Sequence, residues 1–300
     1  MRVCSAIVLL SACAAPVARG QLYGVTSGGD LVLIDRTTGS GTVIGNTGFG
    51  ANDACTDNAR HILSGGGNPD QIIAIDPATG AGSVFLNTTG RPTEYFIRGM
   101  TVSASNVMYV ALSQIDTTTI DRIASIDMTT GAYTVIGPTG RTDLQALAFD
   151  PSGVLYAIGI NNGGTLVQLD PATGAATVIG GGNFGGDDQA LTFLPDGTGY
   201  ICRVNLQTVD PTTGQTTLVG VTGGFDIRGL AFLPPSQPAC YANCDQSTSP
   251  PILNANDFQC FLNQFAAADS NANCDGSTAP PVLNANDFQC FLNAFAAGCS

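Results

Sequence analysis

The chain contains no lysine and no tryptophan, a single histidine (His61), a single glutamate (Glu94), and no unbroken apolar run long enough to span a bilayer. Each shortage removes a class of function. Without lysine there is neither a phosphate-loop nucleotide site nor Schiff-base chemistry. One histidine rules out His-rich zinc sites and leaves any serine or cysteine triad dependent on one residue. Ten arginines against 23 acids give a net charge of −13, so polyanions are repelled and nucleic acid is a poor partner. What the chain does carry is 44% apolar residues over 300 positions, enough for a sizeable core and, by length, two domains.

Residues 1–20 run from Arg2 through Ile7-Val8-Leu9-Leu10 to Ala18-Arg19-Gly20, which reads as a secretory signal removed before Gln21. A second reading stays open: Leu10-Ser11-Ala12-Cys13 resembles a lipobox, in which Cys13 becomes a lipid-bearing N-terminus. Either way the expected destination is outside the cell, secreted or attached at its surface. Eight of the ten cysteines follow the signal and six of those fall in residues 240–300, a clustered, even count that predicts disulfides. Cys55 and Cys202 lie elsewhere, and spacing leaves open whether they pair.

Residues 21–235 repeat one unit. Ile34-Asp35-Arg36-Thr37-Thr38-Gly39 recurs as Ile75-Asp76-Pro77-Ala78-Thr79-Gly80, Ile126-Asp127-Met128-Thr129-Thr130-Gly131, Leu169-Asp170-Pro171-Ala172-Thr173-Gly174 and Val209-Asp210-Pro211-Thr212-Thr213-Gly214. Apolar strands flank each copy. Asp can accept backbone N–H bonds and Gly supplies the left-handed conformation, so each copy predicts a hairpin turn. Two more strands complete a unit, of the Leu155-Tyr156-Ala157-Ile158 and Ala146-Leu147-Ala148-Phe149 types. Four short strands repeated five times predict an all-β five-bladed propeller. The first unit lacks an Ala-Leu-Ala-Phe strand and the last is followed by a spare one, Gly229-Leu230-Ala231-Phe232, so the ring is expected to close by completing the first blade with it.

The recurring tyrosine strand and Asp-Pro-x-Thr-Gly turn resemble secreted bacterial propellers of the NHL-like kind. That resemblance implies that the Ala-Leu-Ala-Phe strand is innermost, and hence that the residues just before it, Asp53, Arg98, Gln145, Gln189 and Arg228, ring one mouth of the central channel. All five are polar. Two arginines there suit a carboxylate or sulfate, while the plainer expectation is that they pair with Asp143, Asp187, Asp188 and Asp226.

After a Pro-rich linker at 236–239, residues 240–300 hold a near-literal duplication: Ala242-Asn243-Cys244-Asp245 through Phe261-Leu262-Asn263 returns 30 residues later as Ala272 to Asn293. Each copy ends in a predicted amphipathic helix, with Phe258, Phe261, Leu262 and Phe265, and Phe288, Phe291, Leu292 and Phe295, at i, i+3, i+4 and i+7. Paired loop-helix units closing as Gly298-Cys299-Ser300 resemble the cysteine-bearing, GC-type dockerin module. The resemblance implies calcium in each loop and a cohesin-like or envelope partner. The ligands it implies are Asp245, Ser247, Asn254 and Asp257, with Asp275, Ser277, Asn284 and Asp287 in the second copy. The loops depart from the regular pattern: the terminal carboxylates stand 12 rather than 11 residues after the first, the sixth-position Gly is missing, and Pro250-Pro251 and Pro280-Pro281 stiffen the turn. The alternative needs no metal. Six cysteines allow 15 pairings; the one that respects the duplication joins Cys244 to Cys260 and Cys274 to Cys290, with Cys240–Cys299 clasping the ends.

Two functions follow. The first is an exported, non-catalytic display protein, its propeller binding an extracellular glycan or protein and its tail attaching elsewhere. The second is a polysaccharide-degrading enzyme carried by a dockerin, for which Glu94 is the sole glutamate and no spacing nominates a carboxylate pair.

Overall fold

A computed structural model describes residues 20–66, 68, 70–114, 118–161, 164–181, 184, 188–234, 240–247, 251–275, 277 and 280–298. Residues 1–19, which hold Cys13 and all of the expected signal except Gly20, lie outside them. The chain divides into a larger unit, Arg19–Pro234, and a smaller one, Pro235–Ser300.

The larger unit is a five-bladed propeller. Its inner strands are Ala51–Thr56, Phe96–Val102, Leu144–Phe149, Ala190–Phe193 and Ile227–Leu233, and each begins an antiparallel four-stranded sheet. The spare strand closes the ring as expected: Ile227–Leu233 pairs with Gln21–Thr26, setting Leu22 opposite Phe232 and Gly24 opposite Leu230. Each inner strand lies beside the inner strands of the blades before and after it. Alternation along the middle strands sends Leu22, Ile62, Met108, Leu155 and their neighbours into the spaces between blades, where they are fully buried. Cys55 and Cys202 are among these buried residues and are free thiols, which settles the question that spacing left open.

The five Asp-Thr-Gly phrases are the hairpin turns between the third and outer strands. At each, the Asp carbonyl accepts the Gly N–H, as from Gly39 to Asp35 at 2.8 Å, and the carboxylate accepts N–H groups of the turn, as from Thr37 at 2.7 Å. The five glycines have φ between 69° and 81°. These bonds hold the carboxyls below their ordinary range: the Thr37 hydroxyl and N–H at Asp35, the Ala78 N–H and Thr79 hydroxyl at Asp76, the Thr130 and Thr129 N–H groups at Asp127, the Thr173 hydroxyl and Ala172 N–H at Asp170, and the Thr212 N–H and Thr213 hydroxyl at Asp210.

Neighbouring blades are also stitched at the rim. The first residue of an outer strand donates to a threonine carbonyl just beyond the preceding outer strand: Gly41 to Thr222 at 3.2 Å, Gly82 to Thr47 at 3.1 Å, Tyr133 to Thr89 at 3.0 Å and Ala176 to Thr139 at 3.1 Å. Beside three of these bonds the turn glycine of one blade lies against a glycine of the blade before it, Gly80 on Gly45, Gly174 on Gly137 and Gly39 on Gly220. A Cβ at Gly45 would stand 2.1 Å from the Thr79 carbonyl oxygen, which is backbone and cannot move aside cheaply.

In the smaller unit, helices Ala255–Ala266 and Ala285–Ala297 start at N-caps Asn254 and Asn284, each with a full capping box to Asp257 and Asp287. Within this unit the two helices pack through stacked Phe261 and Phe291, 4.2 Å between centroids and 12° between planes. Leu262, placed on the apolar face by periodicity, is exposed. Disulfides join Cys244 to Cys260 and Cys274 to Cys290. Cys240 is also disulfide-bonded, and its expected partner Cys299 lies outside the described residues.

Two predictions follow from the blade geometry. Gly45→Ala forces the next blade's turn outward and is expected to cost about 1–3 kcal/mol, read as a lower melting temperature; an unchanged melt would show that the rim contact is loose. The five turn carboxyls have folded pKa values below their unfolded ones, so their stabilisation is complete above about pH 4 and is lost as pH falls through the folded values. Melting temperature should therefore fall as pH is lowered below about 4, and Asp→Asn at several turns should flatten that slope.

Candidate functional site

The five residues expected at the channel mouth share one end of the inner strands, and four of them lie in or beside a local break in the ladder. Pairing slips between Ile97 and Gly99, between Gln145 and Leu147, between Ala51 and Ala54, and opposite Arg228, so Arg98, Arg228 and Asp53 fall inside bulges and Gln145 borders one. Gln189 immediately precedes its strand and donates its N–H to the Cys202 carbonyl at 3.2 Å. Four of them, Arg98, Gln145, Gln189 and Arg228, are half-buried.

Asp53 is different: it is fully buried. Its Oδ1 accepts the Ala54 N–H at 2.8 Å, and its Oδ2 accepts Met100 at 2.7 Å and Leu147 at 3.4 Å, so one carboxyl joins the inner strands of three successive blades. Burial pushes its pKa well above the usual carboxylate range, against the lowering effect of those three N–H groups. The same level is filled by small residues: a Cβ at Gly229 would meet the Ala54 nitrogen at 2.1 Å, and one at Gly99 would meet the Ala146 carbonyl carbon at 2.6 Å. Asp53 therefore belongs to the packed wall between the inner strands; of the other four, Arg228 and Gln189 are brought together by a hydrogen bond.

The two arginines are not equivalent. Arg228 is committed, through Nε and Nη2 to Asp226 Oδ2 at 3.0 and 2.6 Å and through Nη1 to Gln189 Oε1. Arg203 holds the other Asp226 oxygen at 2.8 Å. Arg98 makes no hydrogen bond among the described residues; its charge acts on Asp121. That carboxyl is buried, with Oδ2 accepting the Leu144 N–H at 2.8 Å and Oδ1 lacking a donor, and burial raises its pKa. Of the acids expected to neutralise the ring, Asp226 does so; Asp143 instead takes both arms of Arg141 at 2.8 and 2.6 Å, Asp188 accepts from Gln207 at 2.9 Å, and Asp187 lies outside the described residues.

At the opposite ends of the inner strands the axis opens into a cavity of about 120 Å³ lined by residues of all five, including Cys55, Thr101, Leu147, Leu191 and Leu230. It adjoins an outer recess of about 640 Å³ rimmed by Val102, Phe149, Phe193 and Phe232 with Asp57 and Pro151. Sequence reading missed this mouth. The signal was present, because the final Phe of the Ala-Leu-Ala-Phe phrase occurs in three inner strands, but it reads equally well as blade packing, and Phe149 and Phe193 do pack against Tyr109 and Tyr156.

No reactive pair emerges around Glu94, which is exposed at a turn with φ 73°. His61 Nδ1 lies 2.8 Å from Asp57 Oδ2 in the turn between two strands.

In the smaller unit the residues implied as calcium ligands are hydrogen-bonded to their own loops. Asp257 and Asp287 are buried; Asp257 accepts the Asp245 and Asn254 N–H groups at 3.2 and 2.8 Å, and Asp287 those of Asp275 and Asn284 at the same distances. Asn254 and Asn284 cap the helices, and the Ser247 and Ser277 hydroxyls donate to the Ile252 and Val282 carbonyls. The Ser247 N–H holds the Asp245 carboxyl below its usual range. Calcium requires roughly six to eight oxygens. Among the described residues no three His, Cys, Asp or Glu side chains come together.

No family model matches the chain, and no curated protein matches it. Solved structures that resemble it include TolB from Acinetobacter baumannii, at 13% identity and TM-score 0.46 over 72% of this chain and 67% of that one. The gluconolactonase XC5397 from Xanthomonas campestris is 14% identical, with TM-score 0.45 over 71% and 84%. A nidogen/laminin complex gives 15% and 0.46 over 73% and 86%. At these identities and scores none of them says what this chain binds or does.

Replacing Asp53 by Ala strips the acceptor from three buried N–H groups and is expected to destabilise the propeller by about 3 kcal/mol or more, with Asn costing less because one oxygen remains. Denaturant melts of the two variants test this. Equal, near-zero effects would mean that the carboxyl does not join the blades.

Proposed function

We propose that this is an exported binding protein whose propeller meets an extracellular glycan or protein while its dockerin-like tail attaches it to a cohesin-like or envelope partner. The observation that supports it most is the construction of the tail. Two loop-helix units, each stapled by a disulfide, use their phenylalanines on one another and leave the polar outer faces of both helices free. On those faces Gln259 and Asn263, and Gln289 and Asn293, are exposed and paired only with each other, at 3.0 Å in both copies. Disulfides of this kind belong to an oxidising compartment, and no helix among the described residues is long and apolar enough to cross a membrane.

On the propeller, the ring of Arg98, Gln145, Gln189 and Arg228 is the proposed contact surface. Arg98 supplies the uncommitted donors, suited to a carboxylate or sulfate, and the glutamine amides suit hydroxyl groups.

Deleting residues 240–300 is expected to move the propeller from the cell-associated fraction into the medium, followed by immunoblotting both fractions. Equal cell association of the full and shortened chains would count against attachment through the tail.

A further inference from the structure

The two tail units agree at all but five of 27 aligned positions between Tyr241–Ala267 and Asn271–Ala297. The differences are Tyr241 for Asn271, Gln246 for Gly276, Ser249 for Ala279, Ile252 for Val282, and Gln264 for Ala294. Three of the five converge on one place. Tyr241, Gln246 and Gln264 all line a recess of about 560 Å³ on the first unit, together with Asn243 and with Asn271, the counterpart of Tyr241. A duplication kept almost letter for letter, including its caps, disulfides and phenylalanine stack, has diverged mainly where it surrounds this recess.

Its walls are set up to accept hydrogen bonds. Asn243 is held in the wall by its Nδ2 bond to the Ser247 carbonyl at 2.9 Å. Gln264 points Nε2 at the Cys260 sulfur at 3.7 Å, leaving Oε1 uncommitted, and the Gln246 side chain makes no hydrogen bond among the described residues. The Tyr241 ring is fixed by its hydroxyl bond to the Asn271 carbonyl at 2.8 Å and by edge contacts to Phe261 and Phe291, yet it remains 37% exposed. Charge points the same way: residues 240–300 contain five aspartates and no Arg, Lys or His.

We propose that this recess receives an arginine side chain of the partner protein. A guanidinium carries only donors, in a planar fork able to serve several amide oxygens at once, and its face stacks on a tyrosine ring. The negative tail favours the cation. The assignment rests on the attachment role given to the tail above and names the recognised group.

The test uses the chain from Gln21 to Ser300, ¹⁵N-labelled, titrated with N-acetyl-arginine amide, its uncharged analogue N-acetyl-citrulline amide, and N-acetyl-lysine amide. Side-chain amide signals of Asn243, Gln246 and Gln264 should shift saturably with the arginine compound and not with citrulline. The combined variant Tyr241→Asn, Gln246→Gly and Gln264→Ala installs the residues that the second unit already carries and keeps both disulfides and the phenylalanine stack, so it should remain folded, with a lower melting temperature from the lost Tyr241 contacts, while its apparent Kd rises about tenfold or more. No saturable shift, an equal response to citrulline or lysine, or an unaltered titration in the folded variant would overturn the assignment. Release on deleting residues 240–300 decides the attachment role separately, so a tail that attaches but ignores arginine refutes the recess alone.

Discussion

The propeller depends on the pairing of its last strand with its first. A four-stranded sheet has two apolar faces and cannot cover either alone, so each blade is stable only between two neighbours. In a row of five, the end blades would each expose a face and the first would lack its inner strand. Placing Ile227–Leu233 beside Gln21–Thr26 removes both defects in one step, and it fixes where every inner strand points. The bulges that hold Arg98 and Arg228 and the close packing of inner strands at Gly99 and Gly229 all exist because the ring is closed.

Closure by sequence repetition is also why so much of this architecture was legible in the residues. The Asp-Thr-Gly phrase sets blade number and period because its side-chain chemistry is local: Asp35 and Gly39 form their turn with atoms at most a few residues away. The spare Gly229–Phe232 strand announced closure, and the Cys244–Cys260 and Cys274–Cys290 pairs followed the duplication. What remained illegible depends on atoms brought together from different repeats. Asp53 looked like a fifth polar member of a ring, yet its carboxyl is spent on N–H groups 47 and 94 residues away in sequence. The Thr222 and Thr47 carbonyls that receive the next blade follow the outer strands in unremarked Thr-Gly pairs. In the tail the caps were likewise not singled out: Asp257 and Asp287 each accept N–H groups from the start of their own loop, 12 residues earlier, as well as from the helix N-cap.

The two units divide the chemistry between them. The propeller holds all of the described cations and uses most of them internally, Arg141 on Asp143 and Arg203 and Arg228 on Asp226, so that Arg98 stands out by contrast. The tail holds no cation at all and presents amides, a tyrosine and carboxylates.

Hydrogen exchange in the intact chain tests ring closure most directly. If the ring is closed by its own termini, the amides of Leu22–Val25 and Leu230–Phe232 exchange as slowly as those of the central inner strands around Met100 and Leu147, opening only when the whole propeller unfolds. Rapid exchange at 22–25 and 230–232 beside protected central blades would contradict the account, since it would mean that the ring stands open where the two termini meet.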